Sequence, residues 1–392
     1  MEFKIPTRDE CKNLVENSEA FYMAERFIEG QKVEIYDYRL ASISDFFPED
    51  GSNWTELRGL CFVNDFEYDT WETNILMNKF FNVGQTIGWM YEDIKNKKII
   101  ELANKEDGSI ISFVKFKNGK IRAKSKTSFE SDQARMAQEV FDNNVYMQKE
   151  VNRMLDDGET PIFELVGPEN QIVLEYQNTE LILLQIRDYD GHYFGKKTLI
   201  EKASIMNVNV AESFPESMMN LDDLLTRKEI DQSDIEGWVV TFEDGQMAKI
   251  KTDKYLSLHG LIGPDAFREN LLIKTILDGN IDDVISALVP GEKKDKIVTL
   301  TEKVEHKFNH LVVEFKKLRG SYYNEFYENR KDFALKHSKN PLFSYVMKSL
   351  NTPFRDVEKT AEESVKTYIE KKCNSLSNAK EWVEELKDEK AY

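Results

Sequence analysis

The feature that most constrains the fold is a change in the spacing of apolar residues near residue 260. Before it, short apolar runs alternate with tight turns. Two stretches have the form of a β-hairpin, residues 110–126 around Asn118-Gly119 and residues 238–251 around Asp244-Gly245. Two-residue turns of these types join antiparallel strands. After residue 260, apolar residues recur three and four positions apart, which is the spacing of one face of an α-helix.

This change of spacing predicts two domains, which is also the expectation for a chain of 392 residues. We predict an antiparallel-rich α+β domain over residues 1–258 and an all-helical domain over residues 259–392. Within the first domain, the runs PIFELVG and LILLQIR are typical of strands, and the spacing over residues 128–158 predicts one helix that ends at Gly158. The acidic strip 209–235 predicts a loop and a short surface helix.

The charge of the chain limits the partners that it can bind. Its 71 acidic and 53 basic residues give a net charge of −18, which argues against nucleic acid as a partner if only the total counts. Phosphate binding depends on local charge, however, and residues 115–126 contain five lysines and one arginine but no acid. This basic stripe predicts a focused site for phosphate groups.

Cysteine content and hydropathy indicate a protein of the cytoplasm. The three cysteines, Cys11, Cys61 and Cys373, are too few and too far apart for a disulfide scaffold or a thiolate metal site. No apolar run approaches the roughly 18 residues that a membrane helix needs, and the N-terminus lacks the apolar segment of a signal peptide. We therefore expect no membrane partner.

Residues 105–109, KEDGS, fit the pattern K-x-D-G-S at the mouth of the first hairpin. One reading is a polar turn before a strand. The other is a nucleophilic lysine, Lys105, that attacks the α-phosphorus of a nucleotide and holds the nucleotide as a phosphoramidate. Free lysine has a pKa of about 10.4, so this attack needs neighbouring cations or a metal that lower it. It also needs further cations for the phosphates and carboxylates for a metal and for the ribose.

Other candidate residues lie inside predicted strands or at their ends. A lone acid in an apolar strand, such as Glu164 in PIFELVG, is expensive unless it has a partner. Lys249 and Lys251 are two residues apart, so both project from one face of a strand. Each candidate also has a structural explanation, since turn caps and lysines that protect edge strands are common. The further candidates are Arg58 in TELRGLCF, Lys79 and Phe81 in NKFFN, and Glu236-Gly237 in DIEGWVV.

Taken in this order, the motifs R-G, K-F-F-N, K-E-D-G-S, F-E-x-V-x-P-x-N-x-I-V-L, E-G and K-I-K resemble the ATP-dependent RNA ligase 1 family of bacteriophages. That family belongs to the covalent nucleotidyltransferase superfamily, with DNA ligases and mRNA capping enzymes. The resemblance covers nearly the whole chain, because LSLH and KTILDGNIDD in the helical half are also similar to the family. It implies a nucleotidyltransferase (adenylyltransferase) fold for residues 1–258.

The resemblance also implies roles for single residues. Lys105 would become adenylylated, Glu164 would contact the ribose of ATP, and Lys249 and Lys251 would contact its phosphates. Asp282 in DGNIDDV would be associated with metal. The other implied ATP contacts are Tyr38, Arg58 and Lys79, and the other positions implied to be needed for ligation are Phe81, Gly108, Lys126, Glu236, Gly237 and Tyr255.

The implied activity is the joining of an RNA 5′-phosphate to a 3′-hydroxyl with ATP and Mg²⁺, through enzyme–AMP and RNA–adenylate intermediates. The implied task is repair of tRNA that is broken in the anticodon loop, after an end-healing kinase/phosphatase has acted. The helical domain would recognise the tRNA, and a monomer in the cytoplasm of an infected host cell is expected.

Three questions stay open at this point. One extra residue before KSK leaves either Lys124 or Lys126 as the site lysine. The chain could instead be a DNA ligase or a capping-type nucleotidyltransferase, although those enzymes carry a small β-barrel after the last lysine motif. It could also be a non-catalytic RNA-binding relative, although Lys105, Lys249 and Lys251 are retained.

Overall fold

The structure is a computed structural model that describes residues 4–65, 67, 70–231, 233–258, 260–261, 267–288, 290–327 and 329–388. The strands are β1 Phe21–Ile28, β2 Gln31–Tyr38, β3 Leu60–Asp65, β4 Thr70–Asn74, β5 Phe81–Asn82, β6 Ile99–Asn104, β7 Ser109–Lys115, β8 Ile121–Lys124, β9 Thr160–Val166, β10 Glu180–Arg187, β11 Gly237–Phe242 and β12 Met247–Lys251. The helices are α1 Arg8–Asn17, α2 Ile43–Phe46, α3 Tyr91–Ile94, α4 Asp132–Asp142, α5 Val145–Asp156, α6 Lys196–Met206, α7 Leu221–Ile230, α8 Asp253–Leu258, α9 Glu269–Leu277, α10 Ile281–Ala287, α11 Glu292–Asn324, α12 Arg330–His337, α13 Phe343–Ser349, α14 Val357–Lys372 and α15 Leu376–Asp388. The predicted class, α+β with antiparallel sheets before a helical C-terminal region, is confirmed.

The strands form three four-stranded sheets, which are antiparallel except where β5 pairs with β12. The first sheet has the order β1-β2-β3-β4, the second β10-β9-β7-β8 and the third β5-β12-β11-β6. Both predicted hairpins, β7–β8 and β11–β12, are present. They turn at Gly119 and Gly245, whose φ angles of +79° and +81° are strained for other residue types.

The helix predicted over residues 128–158 is wrong in one respect, because the structure has two helices there, α4 and α5. The second helix has its own cap. The Asn144 side chain accepts hydrogen bonds from the N–H groups of Tyr146 and Met147. An asparagine in this position stabilises a helix start, so it favours a break in the chain over a continuous helix.

The helical region packs around α11, which has 33 residues. Its apolar core includes Tyr255 and Leu256 and also contacts Leu40 of the strand-rich region. The predicted domain boundary at 258/259 stays a prediction, since His259 lies outside the described residues. In the described part of the chain, no helix is long and apolar enough to cross a membrane.

Candidate active site

A cavity of about 340 Å³ lies between the second and third sheets. Strands β7, β9 and β10 line one wall, and β6, β11 and β12 line the other. Its apolar lining includes Met77, Phe80, Ile110, Leu184, Val239 and Met247. Six of the residues predicted from the sequence also line it, namely Arg58, Lys105, Gly108, Glu164, Lys249 and Lys251. Apolar walls with a few convergent charged groups are typical of a site for a small ligand.

Lys105 lies in the turn between β6 and β7. Its backbone N–H donates to the carbonyl of Gly237 at 2.9 Å, which fixes the turn against the start of β11. Its Nζ donates to Oε2 of Glu236 at 2.8 Å. Because Glu236 is only 2% exposed, a buried carboxylate holds the Lys105 amine at the cavity wall.

Asp107 anchors the rest of this turn. Its Oδ2 accepts hydrogen bonds from the N–H groups of Val173 and Leu174, at 2.9 and 2.7 Å. Its Oδ1 accepts a hydrogen bond from the hydroxyl of Tyr255 at 2.8 Å. Tyr255 therefore supports the Lys105 turn from behind. It is not one of the described residues that line the cavity.

Two of the glycines predicted at the site make room for neighbouring backbone. A Cβ atom added at Gly108 would lie 2.2 Å from the carbonyl oxygen of Leu165. One added at Gly237, where φ is +151°, would lie 2.0 Å from the carbonyl oxygen of Ile250. Both positions therefore exclude any side chain, which gives a physical reason for their place in the motifs.

Helix α10 brings two aspartates to the lysines of the site. The Nζ of Lys79 lies 3.1 Å from Oδ2 of Asp282, and the Nζ of Lys251 lies 2.9 Å from Oδ2 of Asp283. Lys251 also contacts Oε1 of Glu236 at 2.9 Å. Sequence reasoning missed Asp283. Its only signal was its position beside Asp282, and neighbouring residues of a helix point about 100° apart.

Burial and neighbouring charges set the protonation of these groups. Burial lowers the pKa of Lys249 to about 7, and repulsion from Lys79 contributes. Burial also opposes the charge of Lys79, but attraction to Asp282 outweighs it and raises the pKa of Lys79. Burial raises the pKa of Glu164 to about 8. The cavity therefore contains two groups that titrate near neutrality, as functional sites often do.

Lys126 lies beside the residues implied to contact ATP. Its Nζ is 2.9 Å from Oδ2 of Asp37 and 4.7 Å from the ring centre of Tyr38. The same ring centre lies 5.7 Å from the Nζ of Lys79. The geometry therefore favours Lys126 as the site lysine that the sequence left open.

Lys124 is buried among backbone carbonyl groups behind Lys126 and Tyr38. Its side chain is completely inaccessible, and its Nζ donates to the carbonyl of Gly59 at 3.0 Å. A Cβ atom at Gly59 would lie 2.2 Å from the carbonyl oxygen of Lys126. Lys124 thus ties the turn that carries Arg58 to the turn that carries Lys126.

Phe81 lies in an aromatic core and does not line the cavity in the described residues. It is 2% exposed and packs edge-on against Trp89, with ring centroids 4.8 Å apart. The Nζ of Lys79 lies 5.3 Å from the centre of the Phe81 ring. The ring therefore supports the position of Lys79.

Most cations of the basic stripe at residues 115–126 form ion pairs in the structure. Four of its cations pair with acids that are distant in the sequence: Lys115 with Asp156, Lys117 with Asp65, and Lys120 and Arg122 with Glu29. The focused phosphate site predicted from this stripe stays a prediction, and acids from other elements balance these four cations in part. The sequence did not reveal these ion pairs, because the acidic partners come from other elements of the fold.

The segment 209–214, which begins the acidic strip, closes one edge of the cavity. The N–H of Ala211 donates to the carbonyl of Leu183 on β10 at 3.0 Å. The N–H of Asn104 on β6 donates to the carbonyl of Glu212 at 2.7 Å. The segment therefore links the second sheet to the third. Its composition gave no sign of this, since the contacts are made by backbone groups.

Arg187 and Glu56 form a buried ion pair that sequence reasoning also missed. Two guanidinium nitrogens of Arg187 donate to the two carboxylate oxygens of Glu56, each at 2.8 Å. Glu56 precedes Arg58, whose Nη1 lies 3.4 Å from the carbonyl of Met77. The pair thus fixes the loop that presents Arg58. An arginine at the end of the apolar run LILLQIR was a signal, but its partner is 131 residues away.

Two matches with known proteins bear on this site. A family model described as RNA ligase, of the T4 RNA ligase 1 type, matches residues 56–255. A protein of Thermovibrio ammonificans, named provisionally as an RNA ligase, is 28% identical over 236 residues, which are 57% of this chain and 60% of that protein. The match thus spans less than two thirds of that relative.

Solved structures that match include an archaeal ATP-dependent RNA ligase, 10% identical with a TM-score of 0.48, which covers 81% of each chain. They also include a mutant of a Naegleria gruberi RNA ligase with ATP and manganese. It is 18% identical with a TM-score of 0.39, and the match covers 61% of this chain and 77% of that chain.

Proposed function

The chain belongs to the RNA ligase family of the T4 RNA ligase 1 type, and on that basis we propose that it is an ATP-dependent RNA ligase. One observation carries the proposal. Lys105 lies at the end of a strand, on a cavity that it shares with Glu164, Lys249 and Lys251. The proposed reaction joins an RNA 5′-phosphate to a 3′-hydroxyl through enzyme–AMP and RNA–adenylate intermediates.

In the first step, Nζ of Lys105 attacks the α-phosphorus of ATP. A nitrogen–phosphorus bond forms, the bond from the α-phosphorus to the bridging oxygen breaks, and pyrophosphate leaves with the electron pair. Lys105 must lose a proton to react, and Glu236 is placed to accept it, with Oε2 at 2.8 Å from Nζ. The AMP then passes to the RNA 5′-phosphate and restores Lys105. Finally a 3′-hydroxyl attacks the activated end and releases AMP.

Other residues in the cavity or beside it bind the nucleotide in this proposal. Lys79 and Lys251 are paired with aspartates, whereas Lys249 has no ion-pair partner among the described residues. Of these three lysines, Lys249 is therefore the one whose charge no acid occupies, and Arg58 on the same cavity is likewise without an ion-pair partner in the described residues. Glu164 has a pKa of about 8 because it is buried, so at neutral pH it can donate a hydrogen bond to a ribose hydroxyl.

We assign Mg²⁺ to Asp282, in agreement with the family resemblance. The described residues contain no cluster of three or more His, Cys, Asp or Glu side chains that could hold a metal ion. Mg²⁺ usually takes one or two carboxylates and completes its shell with water and phosphate oxygens. Asp282 fits that role, since its carboxylate lies beside Lys79 at the phosphate side of the site. When bound, the ion would stabilise negative charge on the phosphates.

The finer assignments follow from the resemblance to the phage enzymes. Residues 1–258 would form the adenylyltransferase domain, and the helical residues 259–392 would recognise RNA. The proposed substrate is tRNA broken in its anticodon loop, in the cytoplasm of an infected host cell. An end-healing kinase/phosphatase would act upstream, and the ligase would act as a monomer.

The helices after β12 favour an RNA ligase over the alternatives. DNA ligases and capping enzymes carry a small β-barrel after the last lysine motif, whereas the elements described after Lys251 are helical. A non-catalytic RNA-binding relative would not form a covalent adduct with AMP.

Intact mass measured after incubation with ATP and Mg²⁺ tests the proposal. The wild type should gain the mass of one AMP, and Lys105→Ala should gain none. The same variant should still seal RNA that already carries a 5′-adenylate, because the last step needs no free lysine amine. A normal AMP adduct on Lys105→Ala would overturn the assignment of the nucleophile. No adduct on the wild type would favour the non-catalytic relative.

A further inference from the structure

A bulge in β10 turns a polar side chain into the cavity. Gln185 pairs with Ile162 of β9, and Leu184 is the extra residue at the shift in register. In a regular strand the side chains alternate, so Gln185 would share the face of Leu183, which lies in an apolar core. With the bulge, Gln185 lines the cavity and Ile186 enters that core instead. The irregular backbone therefore places this amide on the ligand side.

Gln185 presents a hydrogen-bond donor to the cavity. Its Oε1 accepts a hydrogen bond from the N–H of Ile186 at 2.9 Å, which only the amide oxygen can do. The remaining group is Nε2, which has no partner among the described residues. Gln185 is 8% exposed, so packing keeps the amide in this orientation.

Asn104 presents the opposite polarity to the same cavity. Its Nδ2 donates to Oε1 of Glu106 at 3.2 Å, so Oδ1 is the group that remains. This oxygen is buried and accepts no hydrogen bond in the described part of the chain. A buried acceptor without a partner is uncommon in a native protein and calls for an explanation such as a ligand. The segment 209–214 bonds to the strands of both amides, β6 and β10, and so fixes their separation.

We propose that Asn104 and Gln185 select the nucleobase, with Oδ1 of Asn104 accepting from the exocyclic amino group of adenine and Nε2 of Gln185 donating to an adjacent ring nitrogen. This inference rests on the proposed use of ATP. Guanine has the same purine frame but carries an oxygen in place of that amino group and a protonated ring nitrogen beside it. With the ribose held at Glu164, the guanine oxygen would face the acceptor Oδ1 of Asn104. Its protonated ring nitrogen would face the donor Nε2 of Gln185. A site whose buried polar groups are left unpaired rejects such a ligand.

The decisive variant is Gln185→Met, which keeps the length of the side chain and removes the donor. ATP and GTP affinities are measured by calorimetry on the full chain, and AMP and GMP adducts by intact mass. The wild type should prefer ATP, and Gln185→Met should narrow the ATP:GTP affinity ratio by roughly five- to tenfold, as expected for one neutral hydrogen bond. Leu184→Met is the matched control. It changes the shape of the same wall without changing polarity, so both affinities should shift together and the ratio should stay constant.

A second variant protects the test against a folding defect. Gln185→Glu keeps an oxygen for the Ile186 N–H but turns an acceptor toward the cavity, so it should raise GTP affinity relative to ATP. Equal binding of ATP and GTP by the wild type, or an unchanged ratio in both Gln185 variants, overturns base selection by this amide and leaves the ligase proposal standing. If the wild type binds neither nucleotide, the proposed function itself fails and takes this inference with it.

Discussion

Lys249 gives the proposed ATP site a pH dependence that one substitution should remove. In the free chain its pKa is about 7, against an ordinary value of 10.5. Below pH 7 it is charged and attracts phosphate, and above pH 7 it becomes neutral. Bound phosphate favours the charged form, so the pKa in the complex should return toward the ordinary value. ATP affinity must therefore fall as the pH rises above 7.

The depressed pKa sets the size of this effect. Suppose that Lys249 stays protonated in the complex and has a pKa of about 7 in the free chain. The apparent Kd for ATP is then proportional to 1 + 10^(pH − pKa). Between pH 7 and pH 9 this amounts to a weakening of about 50-fold, or about 2.3 kcal/mol. Glu164 adds to it, because its pKa of about 8 means that the carboxyl gains a negative charge in the same interval.

Calorimetry with ATP at pH 7 and pH 9 separates the two contributions. Lys249→Met should lose most of the weakening, whereas Glu164→Gln should retain the lysine's part. At pH 8 the wild type should also take up close to one more proton per ATP than Lys249→Met, measured from the dependence of the binding enthalpy on the buffer. The charged groups that face Lys249, namely Lys79, Lys251, Asp282 and Asp283, are the same in both proteins. If Lys249→Met shows the full weakening and the same proton uptake as the wild type, the reasoning is refuted.

Three further predictions concern one glycine and two lysines around the site. Gly237→Ala should lower the rate of AMP–enzyme formation at least tenfold, or about 1.4 kcal/mol, because the new Cβ displaces the strand that carries Lys251. The rate of this reaction with ATP is measured by quenching it at set times. Gly119→Ala, at an exposed turn, is the control and should leave this rate unchanged. Lys126→Met should likewise slow adduct formation, whereas Lys124→Met should act on stability. The pKa of Lys124 is lowered from 10.5 to about 8 by burial, so the unfolded chain binds the proton more tightly, and wild-type stability should rise as the pH increases through this interval. The free energy of unfolding, measured with urea at pH 8 and pH 10, should rise less in Lys124→Met than in the wild type. An equal rise in both proteins would contradict the assignment.

The sequence predicted those parts of the fold that depend on local pattern. The two hairpins follow from Asn118-Gly119 and Asp244-Gly245, and the helical region follows from apolar spacing after residue 260. The order of the motifs also brought Lys105, Glu164 and Lys249 into one list, and the structure places them around one cavity. Local patterns work here because turns and periodic faces involve residues that are close along the chain.

Partners that are distant along the chain could not be predicted in this way. The stripe cations pair with acids from other elements, as Lys117 does with Asp65. Asp283 reaches Lys251 from a helix whose orientation the hydrophobic pattern alone does not predict. The bulge beside Gln185 reverses the alternation that period-two reasoning assumes. In each case the deciding contact joins separate elements, so it is a property of the folded chain.

The contacts of Lys251 connect the proposed nucleotide site to the helical region. Lys105 and Lys251 share the carboxylate of Glu236, and Lys251 also holds Asp283 on α10. Adenylylation would remove the positive charge of Lys105 and leave Glu236 to Lys251 alone. If ATP binds as proposed, a ligand that binds the helices and shifts α10 will alter ATP affinity, and ATP will alter the affinity of that ligand by the same factor. The adenylylated and the free chain would then differ in which lysine balances one buried carboxylate.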